Sequence, residues 1–190
     1  MKKKHFFLWI FFLLSVLAVV FTLIFFLHRP TEKVSVLLYH RFNDSRYPST
    51  SVDSAELENQ ILFLKSMGVS FLSEDDFILL LEGKRKYGNS VLLTIDDGFR
   101  SILTAYPVLK KYGIPFIVYI NTGYVGIGEY LNWKEINELN NEGLATFGLH
   151  SSMHTNYSLM LLNEGIDKTI DFFSSDIIQT QKIFEEKLGT

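Results

Sequence analysis

The sequence contains no cysteine and only 4 prolines. The lack of cysteine excludes a disulfide framework, a thiolate metal site and a cysteine nucleophile. With 12 glycines in 190 residues, the chain is neither collagen-like nor rich in linkers. Apolar residues make up 47% of the chain, which is too many for a disordered polymer. The length allows one domain with a short appendage.

Basic residues are scarce beyond residue 30. All 21 acidic residues lie there with only 14 of the 18 basic ones, which gives this part a net charge of −7. Nucleic-acid binding requires a basic surface, and this part of the chain lacks one. The phosphate-binding patterns GxGxxG and GxxxxGK[ST] are also missing. The sequence therefore predicts neither nucleic-acid nor nucleotide binding.

Residues 6–27 carry no charge, and Ser15 and Thr22 are their polar members. A helix of this length spans roughly 33 Å, enough for a bilayer core. A buried core helix is seldom apolar on every face, and a cleaved signal peptide would show a shorter apolar run and a small-x-small site. Three preceding lysines favour a cytoplasmic N-terminus. We therefore predict an uncleaved transmembrane anchor in residues 1–30, with a domain at 31–190 on the periplasmic or extracellular side of the cell membrane.

Beyond residue 30, apolar runs alternate with amphipathic stretches. The runs predict strands at 34–38, 69–72, 91–95, 116–120 and 145–149. Helices are predicted after Asp53, with Glu56 completing a capping box, after Ser73, and over 101–112, 133–141 and the last 30 residues. Such alternation is typical of an α/β fold with a parallel sheet. Five strands are too few for an ordinary closed barrel, so the residue pattern favours an open sheet.

Two adjacent carboxylates, Asp96 and Asp97, follow the third predicted strand in the stretch TIDDGF. Catalytic groups gather at the carboxyl ends of parallel strands. Adjacent carboxylates repel, so one can act as a base while a cation holds the other. The alternative is a solvated Asp-Gly turn.

Two histidines, His150 and His154, follow the fifth predicted strand in the stretch HSSMH. On a helical turn they would share a face and reach one ion; a chance pair is the alternative. Ser151 occupies the place of the glutamate in the protease motif HExxH, which disfavours a metalloprotease. Together with Asp97, the histidines form a ligand set that suits zinc or a similar divalent cation. Asp96 is then left as a general base.

These two motifs resemble those of the polysaccharide deacetylases, a family of metal-dependent carbohydrate esterases. TIDDGF is similar to the family's T-F-D-D-G, and HSSMH to its H-[ST]-x-x-H, and the resemblance covers about residues 34–188. Tyr39-His40 and Asn132-Trp133 resemble the branch that deacetylates poly-N-acetylglucosamine in biofilms.

The resemblance implies a partial, distorted (β/α) barrel and hydrolysis of N-acetyl groups on an N-acetylglucosamine-containing polysaccharide. It implies a divalent metal, with zinc favoured. The roles it implies are base for Asp96, metal ligand for Asp97, His150 and His154, and substrate binding for Tyr39, His40 and Trp133.

The chain departs from the family pattern in several places. Leu149 and Thr155 stand where serine and proline are common, and the later motifs, including the Leu-x-His that carries the general acid, are missing. The resemblance therefore implies a chain truncated at its C-terminus and a poor catalyst, with His40 or an unseen segment as the remaining proton donor.

Two other functions are weighed against this enzyme. One is a non-catalytic, membrane-anchored protein for glycan binding or assembly that keeps the metal pocket; the missing acid is the feature that separates the two. The other is a glycoside hydrolase that uses Asp96 and Asp97. It is disfavoured, because its carboxyls must flank a bond at about 5–9.5 Å from each other and because it leaves the histidines unexplained.

Overall fold

The computed structural model describes residues 2–27 and 33–189, in two compact units, Met1–Glu32 and Lys33–Thr190. The first unit contains helix α1, Lys2–Leu27. Within the described residues, no helix has both the length and the apolar character needed to cross a membrane. The predicted anchor is therefore not confirmed. Its predicted boundary at residue 30 lies outside the described residues.

The second unit alternates strands and helices. In chain order its elements are β1 (Val34–Tyr39), β2 (Arg41–Phe42), β3 (Ser51–Val52), α2 (Ser54–Ser66), β4 (Ser70–Leu72), α3 (Glu74–Leu81), β5 (Ser90–Ile95), α4 (Ile102–Tyr112), β6 (Phe116–Ile120), α5 (Trp133–Asn141), β7 (Ala145–Leu149), α6 (Tyr157–Glu164) and α7 (Ile166–Leu188). The five predicted strands are confirmed as β1, β4, β5, β6 and β7. The sequence did not predict β2 and β3, because two residues are too short to show a period.

Strand β5 is the centre of the main sheet. On one side it pairs along its whole length with β1, and on the other it pairs with β4 near its start and with β6 near its end. Strand β7 extends the sheet beyond β6. Every one of these pairings is parallel, which confirms the predicted α/β fold with parallel strands. The carboxyl ends of the strands consequently lie along one edge of the sheet.

Strand β5 is buried at every position, which explains why it is an almost unbroken apolar run in the sequence. Leu93 and Ile95 belong to the larger core, together with buried residues of α2, α4 and α5. Leu92 belongs to a smaller cluster on the other face, which α3 covers in part. Neighbouring residues of a strand point to opposite faces, so a strand buried on both faces is apolar at successive positions.

The N-termini of the helices test the N-cap residues predicted from the sequence. Ser73 caps α3 as predicted, since its hydroxyl accepts a hydrogen bond from the Asp76 amide at 3.2 Å. The capping box predicted for α2 is wrong. Asp53 occupies the N-cap position, but its side chain makes no capping hydrogen bond, and Glu56 accepts a bond from Gln60 instead of reaching back.

A capping box that the sequence reading missed begins α5. The Asn132 side chain accepts a hydrogen bond from the Glu135 amide at 3.0 Å, and the Glu135 carboxylate accepts one from the Asn132 amide at 2.8 Å. Two amides that the helix leaves without partners are satisfied in this way.

We predict that Asn132→Ala lowers the free energy of unfolding by about 1 kcal/mol, because it removes this cap. Asp53→Ala is the matched control. It changes the same position of α2, where no capping bond exists, and should have a much smaller effect. Chemical denaturation of both variants measures the difference. Equal losses in the two variants would contradict the assignment.

Candidate metal centre

Polar side chains follow each of four neighbouring strands at the carboxyl edge of the sheet. The last residues of β1 and β5 are paired in register, and so are those of β6 and β7. The next residue of each strand therefore starts a loop at the same edge of the sheet, with β6 and β7 extending two residues beyond the end of β5. These residues are His40, Asp96, Asn121 and His150. The predicted strand-end position of the site is thus what the topology produces.

The turn after β5 has an unusual backbone. Asp97 and Gly98 both adopt left-handed conformations, with φ of 71° and 72°. A side chain at Gly98 would also place its Cβ 2.5 Å from Cδ1 of Ile120. Glycine adopts this conformation without steric cost. For a residue with a side chain, such as Asp97, the same conformation costs about 1–3 kcal/mol. Strain of this kind clusters at functional sites.

Three predicted metal ligands converge in the structure. Oδ1 of Asp97 lies 3.5 Å from Nε2 of His150 and 3.5 Å from Nε2 of His154. One ligand atom from each residue lies within 4.8 Å of the others. Oδ1 is buried and has no hydrogen-bond partner. Because a buried, unpartnered carboxylate oxygen is costly, and because carboxylate oxygen with two imidazoles is a donor set that zinc accepts, these residues fit a divalent cation.

The two histidines do not share a helical turn, and that prediction is wrong. Ser151 and His154 both adopt left-handed conformations, with φ of 61° and 52°. Residues 150–156 form an irregular loop ahead of α6. The imidazole rings nevertheless meet, with centroids 5.1 Å apart. The loop's shape, and not helical spacing, brings them together.

The segment after β6 supports this loop, and the sequence reading did not identify it. Residues 121–123 donate hydrogen bonds in turn to the carbonyls of His150, Ser151 and Ser152. Gly123 allows the close approach, since an added Cβ would lie 2.9 Å from the Ser152 carbonyl oxygen. The signal that could have found this support is the position of Asn-Thr-Gly directly after the fourth predicted strand.

The surroundings shift the pKa values of the two adjacent carboxyls, Asp96 and Asp97, in opposite directions. Burial raises the pKa of Asp96, although the charges of His150 and His40 oppose the rise. Burial also acts to raise the pKa of Asp97, but the adjacent His150 and the charges of His154 and His40 outweigh it, so this pKa is lowered. Asp97 close by, and then Asp96, raise the pKa of His150. Carboxyls whose pKa values diverge commonly divide acid–base roles between them.

The residues predicted to bind substrate occupy different places. His40 follows β1 at the same edge of the sheet as Asp96, and its charge acts to lower the pKa values of Asp96 and Asp97, so its place in the site stays a prediction. The Tyr39 hydroxyl donates to Gln60 of α2 at 2.7 Å. Trp133 packs edge-to-face on Phe184 at 6.1 Å. The contacts of Tyr39 and Trp133 are those of core residues, so their substrate-binding role stays a prediction.

The motifs and geometry agree with comparisons to known proteins. A model of the polysaccharide deacetylase family matches residues 83–190. The chain belongs to this family. The poly-beta-1,6-N-acetyl-D-glucosamine N-deacetylase of Staphylococcus aureus strain MRSA252 is 33% identical over 133 residues, which cover 66% of this chain and 46% of that protein. The protein of strain N315 is 32% identical over 129 residues, 65% of this chain and 44% of that one. This family member thus spans about half the length of the curated relatives it matches.

Solved structures support the fold. IcaB from Ammonifex degensii is 29% identical with a TM-score of 0.74, over 84% of this chain and 71% of that one. The Streptococcus pyogenes deacetylase PplD in complex with acetate is 22% identical with a TM-score of 0.70, over 85% and 71%; this likeness concerns the fold alone. The predicted family is confirmed, and the relatives to which the chain is similar include proteins named as poly-N-acetylglucosamine deacetylases. The partial barrel stays an interpretation of the parallel sheet.

We predict that Asp97→Asn abolishes or strongly weakens binding of a divalent cation, whereas Asp96→Asn retains it. The two substitutions remove the same charge from adjacent residues, but only Asp97 supplies an oxygen facing both histidines. Zinc content after dialysis against a weak chelator measures the difference. His150→Ala combined with His154→Ala is the negative control. Zinc retained in the Asp97 variant at the wild-type level would show that the ligand set is wrong.

Proposed function

We propose that this chain is part of a metal-dependent hydrolase that removes N-acetyl groups from an N-acetylglucosamine-containing polysaccharide. The observation that carries the proposal is the convergence of Asp97, His150 and His154 beside a second carboxyl, that of Asp96. The names of the relatives support the substrate class. Because the chain spans about half of those relatives, the activity of the whole protein is part of the proposal.

Asp97, His150 and His154 would hold the metal. When bound, a divalent cation of this kind polarises a carbonyl oxygen and lowers the pKa of water. Zinc is favoured, because imidazole and carboxylate donors suit it and three protein ligands leave a position open. The lowered pKa of Asp97 keeps this ligand ionised to lower pH than an ordinary aspartate.

Asp96 is the proposed general base. Its Oδ2 lies 3.8 Å from Nε2 of His150, so it borders the metal ligands without being one of the three. Burial raises its pKa. A base whose pKa is closer to the working pH removes a proton from water more effectively.

His40 is the proposed proton donor. It follows β1, on one side of β5, whereas His150 follows β7, on the other side. Asp96 thus lies between His40 and the two metal-binding histidines. In hydrolysis the C–N bond of the N-acetyl group breaks as the C–O bond of acetate forms. Asp96 takes one proton from the attacking water, and His40 gives one to the leaving amine.

We predict that His40→Gln lowers the rate of acetate release by about 10²–10⁴-fold, because general acid catalysis is lost. Zinc content should not change, since His40 is not among the three ligands. The substrate is a β-1,6-linked N-acetylglucosamine oligomer, and acetate is the measured product. Tyr112→Phe is the control: it removes a hydroxyl that donates to Glu58 of α2 at 2.6 Å, outside the proposed site, and should have a small effect.

Undiminished turnover in the His40 variant would refute the donor role. If neither the zinc-loaded chain nor a longer protein that contains it releases acetate, although the oligomer binds, a non-catalytic glycan-binding function replaces the enzyme.

We also propose a membrane anchor at residues 6–27, with the deacetylase domain on the outer side. This step rests on the uncharged run in the sequence and not on the structure.

We predict that the full chain sediments with membranes and that a chain lacking residues 1–30 does not. The physical reason is that removal of the apolar run removes the surface that lipid would cover. Mass spectrometry of the protein purified from cells supplies the control. A mature N-terminus near residue 30 would mean that the segment is cleaved and is not an anchor.

A further inference from the structure

We propose that Asp176, on α7, is a positioning residue that holds the histidine loop in the shape that binds metal. The proposal rests on the metal site described under the proposed function. Asp176 is 8% exposed. It lies 24 residues beyond Ser152, outside both motifs that identify the family.

Asp176 is hydrogen-bonded directly to the histidine loop. Both oxygens of its carboxylate accept a hydrogen bond from the Ser152 amide, at 3.1 Å each. Its Oδ2 also accepts one from the Tyr157 hydroxyl at 2.6 Å. Ser152 lies midway between His150 and His154. Asp176 therefore binds the backbone at the point where the loop must bend to bring its histidines together.

The loop needs outside support because its backbone is strained. Ser151 and His154, on either side of Ser152, are left-handed residues other than glycine, and such conformations persist only where surrounding contacts hold them. Residues 121–123 hold the loop's carbonyls on the sheet side. Asp176 holds the Ser152 amide on the helix side. Together these hydrogen bonds hold the strained backbone through its carbonyl groups on one side and the Ser152 amide on the other.

Helix packing alone does not explain a carboxylate at this position. Burying a carboxylate is unfavourable unless hydrogen bonds compensate it. An apolar side chain would pack in the helix interface at lower cost. The loop amide and the Tyr157 hydroxyl supply the compensating bonds. Burial, and then the bond to Asp176, raise the pKa of Tyr157 to about 12, so this hydroxyl keeps its proton at neutral pH.

The test compares Asp176→Asn with the wild-type full chain, using Co²⁺ and Zn²⁺ as probes. Asparagine has the same shape but loses the charge and one acceptor oxygen. Partners that orient metal ligands typically contribute 10–100-fold to metal affinity. We expect a loss of about this size in chelator competition, and a changed visible absorption spectrum of bound Co²⁺, at a temperature where both proteins are folded.

Thr180→Val is the matched control. Thr180 lies one turn further along α7, is fully buried and donates to the Asp176 carbonyl oxygen. Its substitution removes a hydrogen bond within the same helix and leaves the carboxylate of Asp176 bonded to the loop, so affinity and spectrum should match the wild type. Tyr157→Phe removes one bond to Asp176 and keeps the carboxylate. It should weaken binding less than Asp176→Asn, and it carries the test if that variant does not fold.

Two results would overturn the inference. One is a lowered melting temperature of Asp176→Asn with wild-type affinity and spectrum, which would mean a purely structural role. The other is an equal loss of affinity in Thr180→Val. If the wild-type chain itself binds neither ion, the proposed metal site is wrong and the inference falls with it. That outcome is distinct from equal binding by the wild type and the Asp176 variant.

Discussion

In-register parallel pairing of β5 with its neighbours is the constraint on which the site depends. Because β1 and β5 end together, and β6 and β7 end together, the first loop residues of four strands lie along one edge. Groups that are far apart in sequence become neighbours there. A shift of one residue in either pairing would turn a strand's side chains to the opposite face. The registers of β5 with β6 and of β6 with β7 therefore set how far the turn after β5 lies from the loop after β7.

The strained backbones of the site lie on this regular frame. Asp97, Ser151 and His154 all adopt left-handed conformations that only the surrounding contacts can maintain. The same folded surroundings bury Asp96 and place His150 against Asp97. The pKa values of the two carboxyls are therefore shifted in opposite directions, although the residues are adjacent in sequence. Both the geometry and the charge state of the site thus come from packing and not from the local sequence.

The sequence was sufficient for the parallel fold, the strand positions and the three converging ligands, because strand ends and motif spacing are local signals. It was insufficient for the loop that carries His150, since an i, i+4 spacing looks the same in a helix and in an irregular loop. It assigned the capping box to Asp53 and missed Asn132, because whether a side chain caps depends on competing partners such as Gln60. Asp176 lay outside every motif, and only tertiary contact identifies it.

The origin of the ligands has a consequence for folding. Asp97 follows β5, His150 and His154 follow β7, and β6 lies between those strands in the sheet. An ion held by these three residues would tie two non-adjacent strands together. The ion could contact all three residues only in the assembled sheet, so ion binding and sheet assembly would be thermodynamically linked. In this chain, which has no cysteine, such an ion would supply the kind of cross-link that a disulfide supplies elsewhere.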